Sequence, residues 1–132
     1  MTIPQLLKNA ALSVAVVAAL PSVALAQPVK QAKTPCFLSP DVEGFSAPND
    51  HTVYLRVGVK DIYRLDLTDD CLNLSFRESL GLESTPGSPW VCSPLDATIV
   101  YRDTGIMERC PVESIHKLTP ADLTTLPKRE RP

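Results

Sequence analysis

The chain has 132 residues, a formal net charge of −2, 13 prolines and four cysteines. Its charges are scattered, so no basic stripe follows a phosphate backbone or an anionic lipid surface, which argues against nucleic acid as a partner. The length accommodates one domain with a modest core and leaves no room for a second.

The opening segment reads as a leader. Met1 to Lys8 supplies one positive side chain, and from Ala10 to Leu20 only Ser13 is polar. Pro21 ends that run, and Ala24-Leu25-Ala26 puts small residues at the two positions a signal peptidase reads. These features predict a signal peptide over 1–26, cleaved before Gln27. A membrane span needs roughly 20 apolar residues, about twice this run, so no stable membrane insertion is expected after cleavage. Cys36 follows Lys33-Thr34-Pro35 rather than a small apolar tetrad, which argues against lipidation. The expected location is the periplasm.

Residues 27–35 are polar, proline-bearing and aperiodic, as in a flexible lead-in. The β domain is expected over 36–127. From His51 to Leu67, apolar and polar residues alternate: Val53, Leu55 and Val57 share one face, then Tyr63, Leu65 and Leu67 after a break at Gly58. That is a hairpin, with Thr52, Tyr54, Arg56, Ile62, Arg64 and Asp66 on its wetter face. Thr68-Asp69-Asp70 turns the chain, because short polar side chains bond their own backbone.

Ser79 to Glu83 is a short strand, and Thr85-Pro86-Gly87-Ser88-Pro89 is a tight connection into Trp90-Val91-Cys92. Ala97 to Arg102 and Ile106 to Ile115 form a second hairpin about Asp103-Thr104-Gly105. Thr119-Pro120-Ala121-Asp122 offers a hydroxyl N-cap, proline at the first helical position and an acid in the first turn. A short helix therefore starts there and stops at Pro127, with Leu118, Leu123 and Leu126 able to lie on the sheet or across a barrel mouth. Residues 128–132 are a charged tail. The fold expected is mainly β, a small antiparallel barrel or sandwich of about six strands with one C-terminal helix.

Cys36, Cys71, Cys92 and Cys110 all lie beyond the leader, and an even number in an exported chain reads as two disulfides. Their wide spacing lacks the close pairs of structural zinc ligands. Spacing does not choose among the three possible pairings. Cys36–Cys110 with Cys71–Cys92 is preferred, because the first bond would staple the opening segment to the last strand.

The candidates for chemistry are poor. Ser46 sits in Gly44-Phe45-Ser46-Ala47-Pro48, which lacks the second glycine of an esterase elbow and reads as a turn. Asp69 and Asp70 are adjacent, so on an extended chain they point apart, and a turn explains both. His51 and His116, with Asp50 nearby, are a further candidate metal set, and they fall in different predicted strands. Trp90, Tyr54, Tyr63 and Tyr101 could line a groove, although aromatic residues at alternating spacing usually face a core. No Cys-x-x-Cys depresses a thiol pKa. No catalytic residue, cofactor ligand or metal ligand is assigned.

The cysteine contexts, taken together, are Cys36-Phe37, then Tyr63-Arg64-Leu65-Asp66-Leu67 before Cys71, Trp90-Val91-Cys92 with Asp96, Arg109-Cys110-Pro111-Val112, and Leu118-Thr119-Pro120. Their order resembles a family of small exported proteobacterial proteins catalogued as a domain of unknown function. The resemblance implies a four-cysteine, mostly β framework and carries over no site residue. Pro111 departs from that pattern, and its missing N–H suggests an edge strand or a bulge. The functional expectation is a non-enzymatic module that binds a protein or an envelope component through a β face or edge. The alternative is a small-ligand or metal-binding module.

Overall fold

A computed structural model describes residues 35–132. The predicted signal peptide and almost all of the lead-in lie outside the described residues. Eight strands run in the order β1 Phe37–Leu38, β2 Val42–Ser46, β3 Thr52–Val57, β4 Asp61–Leu67, β5 Gly81–Ser84, β6 Trp90–Val91, β7 Ala97–Asp103 and β8 Ile106–Lys117. Among the described residues one short α-helix, α1, spans Pro120–Thr125, alongside short 3-10 turns.

Six of the strands form one antiparallel sheet in the order β2-β3-β4-β8-β7-β5, curled into a half-barrel. Both expected hairpins are present. Val53 pairs with Leu65 and Leu55 with Tyr63 across β3 and β4, while Ile99 pairs with Cys110 across β7 and β8. Gly58 and Gly105 take positive φ at the two hairpin tips, a conformation that costs glycine nothing. Because side chains alternate across each strand, these registers turn one continuous apolar face inward. Val53, Leu55, Leu65, Leu67 and Ile99 are fully buried there, together with Leu74 and Val91, which pack in from outside the sheet.

The remaining strands, β1 and β6, form a separate two-stranded ribbon, with Phe37 opposite Val91 and Leu38 opposite Trp90. Phe37 and Val91 join the core, and the Phe37 ring lies 4.6 Å from that of Tyr63. The ribbon corrects the preferred disulfide pairing: the bonds are Cys36–Cys92 and Cys71–Cys110. The ribbon's register, carried one residue further, sets Cys36 directly opposite Cys92. Cys110 is instead turned inward on β8, where the chain leaving β4 reaches it through Cys71.

Pro111 is not on an edge strand, since β8 lies between β4 and β7. Its carbonyl accepts from Thr68 N–H at 3.0 Å, on the β4 side. In an extended residue N–H and C=O point the same way, so the missing donor would face past the end of β4, and the β7 ladder loses nothing. Next to it the register shifts: Leu67 pairs with Val112 and Asp66 with Ser114, leaving Glu113 as the bulged residue. The bulge lets one long strand serve β7 with its first half and β4 with its second.

Two further differences concern the outer face and the opening segment. Thr52, Tyr54 and Ile62, expected on the wetter side, are buried, although none joins the main core cluster. The C-terminal segment brings the Glu130 carboxylate near Tyr54, whose phenol is pushed up by desolvation first and by that charge in part. Residues 44–48, expected as a turn, include the end of β2, because pairing with β3 overrides the weak strand preference of Glu43, Gly44 and Ser46. The helix begins as expected, with Thr119 and Asp122 in a reciprocal capping box. Leu118, Leu123 and Leu126 are half-buried outside the core.

Candidate functional site

A half-barrel leaves two end strands, β2 and β5, that are not joined to each other. Both line one cavity of about 240 Å3 with Ser39, Val42, Glu43, Gly44, Phe45, Leu80 and Leu82 at its walls. The apolar members, Val42, Phe45, Leu80 and Leu82, are half-buried and pack against the core from the seam. The volume lies below the ~300 to 1,000 Å3 of pockets that enclose drug-sized ligands. It suits side chains entering from an adjacent strand.

The shape of this seam comes from a bulge in β2. Val42 and Phe45 are an odd number of residues apart, so a regular strand would point them to opposite faces. The structure pairs Val42 with Val57 and Gly44 with Arg56, which makes Glu43 the extra residue and returns Phe45 to the inner face opposite Leu55. Both apolar side chains then face the cavity. Glu43 is exposed, and a short, bulged, charged edge of this kind also discourages unselective pairing.

On the convex face the same register lays Arg56 across Gly44. A Cβ at Gly44 would stand 3.2 Å from Arg56 Nη2, so the glycine makes room for the guanidinium. Arg56 Nε is buried and has no hydrogen-bond partner among the described residues. The arginine ion pairs among the described residues, Arg64 with Asp66, Arg77 with Asp103, Arg109 with Glu83 and Arg129 with Glu130, leave Arg56 out.

A second cleft, of about 280 Å3, surrounds the Cys71–Cys110 bond and carries Asp69, Asp70, Tyr101, Asp103, Glu108 and Arg109 on its rim. Three of its polar groups, Asn73, Tyr101 and Asp103, are engaged in holding the loop after β4. Arg77 pairs with Asp103 at 2.7 Å, Asn73 Nδ2 donates to Asp103 Oδ2, and Tyr101 O–H donates to the Leu72 carbonyl at 2.9 Å. Desolvation raises the Tyr101 phenol above its usual range. The cleft is built as a brace.

The weighed site residues disperse. His51 precedes β3 and has Asp70 Oδ1 3.5 Å from its Nδ1, whereas His116 lies on β8 opposite Arg64. β4 lies between them, and His51 sits level with Leu67 whereas His116 faces Arg64, so the histidines are apart both across and along the sheet. Asp50 is occupied as a buckle: it accepts from Ser75 N–H, Ser75 O–H and Asn73 N–H. These bonds, led by the Ser75 amide and opposed by desolvation, hold its carboxyl below the usual range. Among the described residues no three His, Cys, Asp or Glu side chains gather as a metal site. Ser46 ends β2 opposite Tyr54, Tyr63 and Tyr101 join the core, and Trp90 stands half-exposed on the ribbon.

The seam itself escaped the sequence reading. Its signal was present as two apolar residues, Val42 and Phe45, set at odd spacing around a glycine. That pattern becomes one face only if a bulge intervenes.

A family model described as a family of unknown function (DUF6491) matches residues 6–132. No curated protein and no solved structure matches the chain. The match bears out the resemblance carried by the cysteine contexts as far as a family of unknown function.

Proposed function

We propose, from the premise that the chain belongs to the DUF6491 family of unknown function, that it is a non-enzymatic module of the cell envelope that captures an extended segment along β2. The observation that carries this reading is the open seam of the half-barrel, where an edge strand adjoins a cavity walled in part by the apolar side chains Val42, Phe45, Leu80 and Leu82. Strand addition uses both features: main-chain hydrogen bonds supply affinity, and pockets for alternate side chains supply selectivity. Two disulfides suit an oxidising compartment, and a periplasmic address follows from the predicted leader. Among the described residues no helix is long and apolar enough to cross a membrane.

Amide chemical shifts of the oxidised protein, titrated with a blocked strand-forming peptide Thr-Val-Gln-Val-Thr, test the reading. Shifts concentrated on Val42 to Ser46 and on Leu80 to Leu82 are expected. Absence of any change on β2 at millimolar peptide rejects strand capture there. The address is tested separately, since protein recovered from the periplasm should begin at Gln27.

A further inference from the structure

We infer that the segment captured at the seam belongs to a partner protein and carries an aspartate or glutamate directly opposite Gly44, where Arg56 holds it. The inference rests on the strand-capture reading and names the chemistry of its partner. In an added strand, the residue facing Gly44 projects to the convex side, and its two neighbours project into the seam toward Val42, Phe45, Leu80 and Leu82. The complementary pattern is therefore apolar, acidic, apolar.

Arg56 makes the middle position selective. Directly opposite side chains in a sheet stand about 5 Å apart at Cβ. At Gly44 there is no side chain in the way, and the Arg56 guanidinium already lies over that position. A carboxylate arriving from the next strand meets a planar fork of donors, the geometry that favours arginine over lysine in pairing with carboxylates. It also offers an acceptor to a guanidinium whose buried Nε has none among the described residues. An apolar or basic residue at that position would leave the same donor unsatisfied, and a glutamine would offer a neutral acceptor without the charge, which sets acidic partners apart.

Two blocked peptides, Thr-Val-Glu-Val-Thr and Thr-Val-Gln-Val-Thr, titrated into the oxidised protein at low salt, decide the matter. The glutamate peptide should bind about tenfold more tightly, the scale of one charge-assisted interaction. Arg56→Gln should equalise the two peptides, Arg56→Lys should keep part of the preference, and Gly44→Asp, which supplies the acid internally, should abolish it. Equal affinities in the unaltered protein, or a glutamate preference that survives Arg56→Gln, overturn the acidic-partner inference while leaving strand capture intact. If neither peptide moves the β2 amides, strand capture fails and this inference falls with it.

Discussion

Removing the Cys36–Cys92 bond isolates one stabilising device with little else disturbed. Cys36 is exposed and Cys92 half-buried, so paired serines at these positions leave no deeply buried hydroxyl. The bond spans a sequence separation of 56 residues. In the chain-entropy description a loop of that length restricts the unfolded chain by about 4 kcal/mol. Small domains are stable by only ~5 to 15 kcal/mol, so the loss is a large share of the whole. Urea unfolding of Cys36→Ser/Cys92→Ser, followed by far-ultraviolet circular dichroism, should show a midpoint roughly 2 M lower and a somewhat steeper slope, because the unlinked unfolded chain exposes more surface. The Cys71–Cys110 bond spans 39 residues, and its cysteines are 7% and 4% exposed. Its double serine variant should lose a similar loop term plus about 1 to 3 kcal/mol for buried hydroxyls. A midpoint shift below about 0.5 M in the first variant would refute the loop-entropy reasoning. The pairing has its own check: in the single variant Cys36→Ser the freed thiol should map to Cys92, and a free Cys110 would disprove the ribbon register.

Two further variants probe the brace and the edge. Asp50→Ala should destabilise the domain by about 1 to 2 kcal/mol and speed amide exchange at Asn73 and Ser75, because two amides lose their acceptor; unchanged exchange there would contradict the buckle. The Asp50 carboxyl is depressed in the folded state, so its contribution is present above the usual carboxylate range and fades as pH falls through that range and below it; acid unfolding of Asp50→Asn should lack this component. Gly81→Ala places a Cβ 2.9 Å from Val100 Cγ2 across β5 and β7, so it should lower the melting temperature, and Val100→Ala in the same chain should recover part of the loss. Strict additivity of the two substitutions would show that the contact is not the cause.

Much of this protein was legible in its residues because the information was local. Period-two alternation marked both hairpins, Gly58 and Gly105 marked their tips, and Thr119-Pro120-Ala121-Asp122 marked the helix start through a capping pattern that needs only neighbours in sequence. An even set of cysteines indicated disulfides, since that inference depends on count and compartment. What the tertiary structure decided is everything that depends on which distant segment lies alongside which. The mirrored order of Cys36-Phe37-Leu38 and Trp90-Val91-Cys92 acquires meaning only when those two-residue strands pair, and each is too short to announce itself. Pro111 is tolerated in a central strand only because β4 ends beside it. Val42, Phe45 and Arg56 become a candidate seam through a bulge and a curl of the sheet. Local propensity is a property of a few bonded neighbours, whereas register, bulges and sheet curvature are settled by packing between segments that the chain itself holds far apart.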